Sequence, residues 1–369
     1  MAAKKPKTVF ASGYIFPVAA LYASMIVPWS VLALLGVIPA PPGLLSVYGH
    51  AHELLAGYGI LVVAGYLLGK IRPLHLGVFL ATWLLARVSF LWAPTSALAM
   101  ITALAVAAFV AWFTVPRFAR SAKKWRNKSL VPLLALLSLM VFLLSVPVWN
   151  THKVLLVFIA ALALLMFFMG GRTLAPAVAG HLIKQKIPMP ARVQPNVEGA
   201  GIIFMFLAIA LLPLAPAVAA VCLGIVGCLV LIRMWRWQLW HCADRIDLLL
   251  LAAGYAWLGI GLILLGVGLA AKPQWLTAGV HAITVGAMGV LTVTIMARTQ
   301  VVRRFRDANL FATSHMAGAL MNLAALVRVG QALNVLSWAS LYVAAALWSA
   351  AMWCLLWVIW QCREPKTKA

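Results

Sequence analysis

Acidic residues are the scarcest feature of this sequence. Six Asp and Glu occur in 369 residues, against 29 Lys and Arg, and charged residues of all types make up 9% of the chain. Soluble domains contain about 25% charged residues. With 65% hydrophobic residues and a mean hydropathy of +1.03, this shortage excludes a soluble globular protein and indicates a polytopic membrane protein. The apolar runs do not alternate with polar residues as barrel strands do, so we expect an all-α fold.

Two other signals are absent from the sequence. The five cysteines show no CxxC spacing, so we expect neither disulfides nor a thiolate metal site. The basic amino terminus leads into an apolar run without an evident small-residue cleavage site, which predicts an uncleaved first helix.

The net charge of +23 would suggest a nucleic-acid partner in a soluble protein. Here the basic residues lie in short loops between apolar runs, so we expect none.

About 20 apolar residues span the hydrocarbon core of a bilayer, and on that length the chain contains about twelve transmembrane helices. We place them at 10–38, 46–69, 74–92, 95–115, 130–149, 154–170, 199–213, 217–236, 248–270, 274–298, 309–329 and 335–360. The whole chain, 1–369, is predicted to be a single transmembrane domain. Helices 1–6 occupy 1–180, a cytoplasmic loop occupies 181–198, and helices 7–12 occupy 199–369.

The distribution of Lys and Arg predicts the orientation. With the amino terminus inside, Lys153 and Lys272 lie in outer loops, Arg87 and Arg328 lie within helices, and all other basic residues lie on the cytoplasmic side. By the positive-inside rule, this pattern predicts that both termini lie in the cytoplasm.

Ionisable residues inside apolar helices are expensive and therefore indicate function. The second helix carries His50, His52 and Glu53 near its outer end, and the tenth carries His281 at a similar depth. The directions of the third and eleventh helices place Arg87 and Arg328 in the outer half as well. These six residues are predicted to form one polar layer. The alternative is that they only hydrogen-bond between helices.

This residue set favours a haem or metal site. Neutral imidazole binds haem iron and copper, so His50, His52 and His281 are the candidate metal ligands. Arg87 and Arg328 could balance a haem propionate, and Glu53 could pair with an arginine, orient a histidine or carry protons. Small residues in the tenth helix would let another helix or a flat ring approach closely; they are Gly279, Ala282, Gly286, Ala287 and Gly289.

Four stretches resemble the NnrS family of membrane proteins. They are HAHELLAGYGILVVAGYLL from His50, GGRTLAP from Gly170, GYAWLGIGLILL from Gly254 and HAITVGAMGVLTVTIMAR from His281. The LAALVRV stretch around Arg328 is similar too. The resemblance implies a twelve-helix inner-membrane protein that binds haem b and copper and takes part in the nitric oxide response and denitrification. Its small ligand would then be nitric oxide or a derivative, and its electron donor is unknown.

The chain departs from the family pattern at three positions. Gly49 stands where the family has Trp before the first histidine, and Leu54 where it has Met after the glutamate. Ala252 stands where relatives often have a histidine, so one metal site could be altered here.

Three functional hypotheses remain open from the sequence. The first is a haem and copper protein that binds nitric oxide in the outer half of the membrane. The second is an oxidoreductase that turns over nitric oxide or its metal adducts. The third is a secondary transporter, because twelve helices in two halves and polar residues at one depth fit that architecture.

Overall fold

A computed structural model describes residues 8–146 and 151–363. Within these residues the chain forms twelve successive helices of membrane-spanning length, which confirms the all-α polytopic fold. Ten of them are apolar enough to cross a membrane by length and composition alone. The other two, residues 47–67 and Ala312–Ala332, carry His50, His52, Glu53 and Arg328, which lower their hydropathy.

The chain divides into two compact units, Met1–Phe158 and Ile159–Ala369. The helices of the first are α1 (Ser12–Leu34), α2 (Val47–His52), α3 (Ile60–Leu67), α4 (Pro73–Trp92), α5 (Ala97–Ser121), α6 (Trp125–Lys128) and α7 (Leu130–Leu143). Helix α8 (Thr151–Lys184) crosses the boundary. The second unit continues with α9 (Pro195–Leu211), α10 (Pro216–Trp235), α11 (Ile246–Ala270), α12 (Leu276–His281), α13 (Val290–Phe305), α14 (Ala312–Ala332) and α15 (Ser340–Gln361).

Two of the spanning helices are interrupted by π-helical segments. The segment Glu53–Gly59 joins α2 to α3, and the segment Ala282–Gly289 joins α12 to α13. In both helices the π-helical segment begins immediately after a predicted site histidine, His52 or His281. Insertions of this type occur frequently at functional sites, because they change the direction of side chains within an otherwise regular helix.

Several helices are longer than their apolar runs predict. Helix α5 continues to Ser121, α8 to Lys184 and α13 to Phe305. These extensions contain Lys and Arg, which are good helix formers and interact favourably with a helix carboxyl terminus. The non-helical part of the predicted loop 181–198 is correspondingly short, since α9 begins at Pro195. The predicted end of the fifth helix at 147–149 lies outside the described residues.

One short β-ladder closes an end of the first unit. Strand β1 (Val9–Phe10) pairs antiparallel with β2 (Lys70–Ile71), with Val9 opposite Ile71 and Phe10 opposite Lys70. Gly69, at a φ of +60°, turns the chain from α3 into β2. Arg117 of α5 donates hydrogen bonds to the carbonyls of Leu67 and Leu68 at 3.2 and 3.0 Å, so it caps the carboxyl end of α3.

In the second unit, glycines allow helices to pack backbone to backbone. A Cβ on Gly279 of α12 would lie 2.4 Å from the amide nitrogen of Leu265 in α11. A Cβ on Gly286 would lie 2.6 Å from the Trp257 ring. Small residues of this stretch thus admit a neighbouring helix, as predicted, and the close approach of a flat cofactor ring stays a prediction.

Candidate functional site

The first unit buries an ion pair between adjacent helices. Nη1 of Arg87, on α4, donates to Oε1 of Glu53 at 2.8 Å, and the same oxygen lies 3.0 Å from Nδ1 of His52. His52 and Glu53 are 0% exposed and Arg87 is 1% exposed. Removing either member of such a pair would leave an uncompensated charge away from water. The structure therefore brings together three of the six predicted site residues.

Two hydrogen-bonding partners of this cluster carry no charge and were not predicted from the sequence. Tyr22 of α1 donates its hydroxyl to Oε2 of Glu53. Ser145, just after α7, lies 3.0 Å from Nε2 of His52. The imidazole of His52 also stacks on Phe90, with ring centroids 3.4 Å apart. Both ring nitrogens of His52 therefore have protein partners, and one ring face is covered.

Arg87 has donors that this cluster does not use. Among the described residues, its Nε and Nη2 are buried and have no hydrogen-bond partner. A guanidinium has five N–H donors and cannot lose its charge in a protein. Arg87 can therefore bind a further oxygen or anionic group in addition to Glu53.

His50 contacts a serine near the end of α1. The hydroxyl of Ser30 donates to the carbonyl of Val27 at 2.9 Å, and its oxygen lies 2.7 Å from Nδ1 of His50. With the serine proton directed to this carbonyl, Nδ1 of His50 is the donor to Ser30, and the lone pair of the neutral ring belongs to Nε2. A metal-binding imidazole usually has this arrangement, with the other ring nitrogen donating to a fixed acceptor.

The glycine before His50 has a packing explanation. A Cβ on Gly49 would lie 1.7 Å from the carbonyl oxygen of Gly43, which belongs to the turn before α2. No side chain fits there without moving the backbone. Gly49 thus allows close contact between α2 and the preceding turn.

His281 shows the same tautomer in the second unit. Its Nδ1 lies 2.8 Å from the carbonyl oxygen of Thr277, one turn earlier on α12. A carbonyl can only accept, so Nδ1 carries the proton and Nε2 carries the lone pair of the neutral ring. Nδ1 of His50 and Nδ1 of His281 thus each lie against an oxygen of their own unit, Oγ of Ser30 or the carbonyl oxygen of Thr277.

Arg328 is a partly buried cation on α14. Its Nη1 donates to Oε1 of Gln331 at 2.6 Å, and within the described residues it has no ion pair with a carboxylate. Helices α12 and α14 pack together through Ala278, Ala282 and Val329. The second unit thus places His281 and Arg328 on two helices in contact. That the six predicted residues form one layer across both units stays a prediction.

The ligand groups do not form a conventional multidentate metal site. Among residues 8–146 and 151–363, no group of three or more His, Cys, Asp or Glu side chains is arranged to hold a metal ion. A cofactor that supplies most of its own metal ligands is compatible with this finding, because it needs one or two imidazoles from the protein.

A second buried arginine lies in the second unit and was assigned by sequence to a cytoplasmic segment. Arg233, at the end of α10, is 5% exposed, and its Nη1 donates to the hydroxyl of Tyr255 at 3.0 Å and to the carbonyl of Phe167 at 3.3 Å. A Cβ on Gly170 would lie 2.7 Å from the Tyr255 ring, and one on Gly171 would lie 2.6 Å from Nη1 of Arg233. Gly170, Gly171 and Tyr255 thus meet around Arg233. The two glycines belong to the GGRTLAP stretch, and Tyr255 belongs to the GYAWLGIGLILL stretch.

The cytoplasmic-side charges predicted at the start of the ninth helix form a further network. Asp247, in the first turn of α11, pairs with Arg245 at 2.8 Å and with Arg298 of α13. His181 of α8 lies 3.0 Å from Asp244. These contacts join the ends of three helices of the second unit and fit a structural role.

Together these features define a multi-pass membrane protein with two histidine-bearing helices, each interrupted by a π-helical segment. The family model of the NnrS protein matches residues 9–363, nearly the whole chain, and the chain belongs to the NnrS family. Its membership relates this membrane protein to the nitric oxide response. No curated protein matches the chain significantly.

Proposed function

We propose that this protein binds haem b in the bacterial inner membrane and handles nitric oxide or a nitric-oxide-derived ligand there. The observation that carries the proposal is a contact that His50 and His281 share. In each, Nδ1 lies against an oxygen of the same unit, Oγ of Ser30 or the carbonyl oxygen of Thr277, and metal-binding imidazoles usually have such a fixed partner at the second ring nitrogen. Haem iron, once bound, supplies a coordination site for a diatomic ligand.

Each unit combines an imidazole of this form with an arginine suited to an anionic group. The first unit has His50 and the unused Nε and Nη2 of Arg87. The second has His281 and Arg328, which makes no ion pair with the described carboxylates. Since arginine binds carboxylates through two N–H groups, each arginine is the proposed partner of a haem propionate in its own unit.

The remaining predicted residues receive supporting roles. Glu53 holds Arg87 in place, and His52 links Glu53 to Ser145. His52 is still a candidate ligand from its sequence. We propose His50 and His281 as the first ligands to test, because Nδ1 of each lies against a fixed oxygen of its own unit.

Copper is the further candidate metal. Copper bound by three or four protein side chains has less support than haem, because no such group is found among the described residues. A porphyrin supplies four nitrogens itself, which leaves one or two positions for histidine.

The test is an optical spectrum and metal analysis of the full-length protein, purified in detergent from haem-replete cells. We expect a Soret band and bound iron in the wild type, and a lower haem and iron content in His50→Ala or His281→Ala. His241→Ala is the control, because His241 lies in the short segment Leu239–Cys242 outside the spanning helices. A colourless, iron-free wild type, or full haem content in both site variants, would contradict the proposal.

A secondary transporter is the second candidate function. The observation in its favour is that both histidine-bearing helices are interrupted, since transporter sites are often built at helix irregularities. Uptake of a solute into proteoliposomes by metal-free protein would support it. The absence of uptake by a haem-loaded preparation would favour the haem function.

The proposed orientation places both termini in the cytoplasm. Fusion of a folding reporter to the carboxyl terminus tests this prediction. Green fluorescence from a carboxyl-terminal fluorescent protein is expected, whereas activity of a periplasm-specific alkaline phosphatase fusion would contradict it.

A further inference from the structure

The first unit has almost no negative charge with which to balance its surface cations. Glu53 is the sole acidic residue in 1–158, and it is 0% exposed and paired with Arg87. The exposed lysines and arginines of this unit therefore have no exposed carboxylate within it. Any carboxylate counter-charge for them comes from outside residues 1–158.

The fold gathers several of these cations at one end of the unit. The β1–β2 ladder places exposed Lys70 and Arg72 next to the end of α3, and Arg117 of α5 binds the carbonyls at that same end. Arg120 follows one turn later on α5, with exposed Lys123 and Lys124 just beyond. Two segments about 50 residues apart in sequence thus lie at the same end of the unit. We call their cations the basic rim; they are Lys70, Arg72, Arg117, Arg120, Lys123 and Lys124.

A groove on α5 lies beside this basic rim. Its volume is about 550 Å³. Its lining is apolar at one end and basic or polar at the other. The lining residues are Trp112, Phe113, Pro116, Arg117, Arg120 and Ser121. Trp112 is 77% exposed.

We propose that this groove binds an anionic phospholipid. The phosphate lies against Arg120 and Arg117, with Ser121 as an additional hydrogen-bond donor, and the upper acyl chain lies along Trp112, Phe113 and Pro116. Tryptophan and arginine together mark the headgroup level of a bilayer, so the groove is at the correct depth for a lipid. Basic clusters directly beside a membrane-spanning helix attract acidic lipids, and the lack of surface carboxylates in this unit removes the competing ion pairs.

The test uses the full-length protein in detergent and native mass spectrometry. It is incubated with phosphatidylglycerol or phosphatidylcholine of identical acyl chains, and bound lipid is counted. Wild type should retain more phosphatidylglycerol than phosphatidylcholine. Since one cation near a membrane surface contributes about 1 kcal/mol, Arg120→Gln should weaken phosphatidylglycerol binding about fivefold.

The matched control is Arg236→Gln. Arg236 is an exposed arginine beside exposed Trp235 at the end of α10, and it does not line the groove. Arg236→Gln should leave lipid retention unchanged. Arg120→Lys should keep most of the preference for phosphatidylglycerol over phosphatidylcholine. Trp112→Ala should weaken the binding of both lipids, because it removes the acyl-chain contact.

Three results would overturn the proposal. They are equal retention of the two lipids by wild type, equal losses in Arg120→Gln and Arg236→Gln, and unchanged retention in Arg120→Gln. Circular dichroism and a single size-exclusion peak establish that each variant is folded before its lipids are counted.

Discussion

Glu53 and Arg87 are joined by a 2.8 Å hydrogen bond between two side chains that are almost fully buried. Glu53 begins a π-helical segment and Arg87 lies in the middle of α4, so the pair fixes these two helices against each other. Neither charge has access to water. Each is tolerated because of the other.

Glu53→Gln should therefore destabilise the protein strongly. It leaves the Arg87 cation buried without its counter-charge, at an expected cost of about 3–5 kcal/mol. The measurement is thermal unfolding of detergent-purified protein. The readout is the temperature at which the monodisperse size-exclusion peak is lost.

The double variant Glu53→Gln with Arg87→Met is the control for this interpretation. It should be more stable than Glu53→Gln alone, because no unpaired charge remains. A double variant as unstable as the sum of the two single variants would show that the two side chains act independently.

Tyr22→Phe should lower stability by a smaller amount. It removes the hydroxyl that donates to Oε2 of Glu53, and a hydrogen bond to a charged group contributes about 1.5–3 kcal/mol. Tyr14→Phe is the matched control on the same helix, because Tyr14 is 51% exposed. Equal thermal unfolding midpoints for Tyr22→Phe and Tyr14→Phe in the same assay would argue against a structural role for Tyr22.

Gly171→Ala should destabilise the second unit. The added methyl group would lie 2.6 Å from Nη1 of Arg233, in a site already filled by aromatic rings, and overpacking of this type costs about 1–3 kcal/mol. Gly180→Ala lies on the same helix with no atom within 4 Å of the added methyl group. It should be neutral or stabilising by up to about 1 kcal/mol, because alanine favours helix. A Gly171→Ala protein as stable as Gly180→Ala would show that Arg233 moves freely.

Ser30→Ala tests the orientation of His50. It removes the hydroxyl that lies 2.7 Å from Nδ1 of His50, and loss of such a supporting hydrogen bond typically lowers metal affinity by about 10–100-fold. The measurement is the rate of haem transfer from the purified protein to apomyoglobin, which should increase. Ser24→Ala is the control on α1, since Ser24 binds the carbonyl of Leu21. An unchanged transfer rate in Ser30→Ala would indicate that His50 does not bind the iron.

The sequence alone determined the membrane fold of this protein and the helices that carry its polar residues. Bilayer thickness sets the length of an apolar run, so twelve runs predicted twelve helices with ends correct to a few residues in most cases. Ionisable residues interrupt such runs visibly. His50, His52, Glu53, Arg87, His281 and Arg328 could therefore be selected without knowledge of any contact.

The tertiary structure decided which of these residues meet and which uncharged residues join them. Tyr22 and Ser145 looked like ordinary members of apolar runs, and only the packing of α1 and α7 brings them to Glu53 and His52. Arg233 resembled other basic residues at helix ends, yet Gly170 and Gly171 make room to bury it and its partner Tyr255. Contacts between distant helices depend on side-chain volume and on helix register, including the two π-helical segments. Side-chain volume and helix register at such contacts cannot be predicted from a single sequence without its fold.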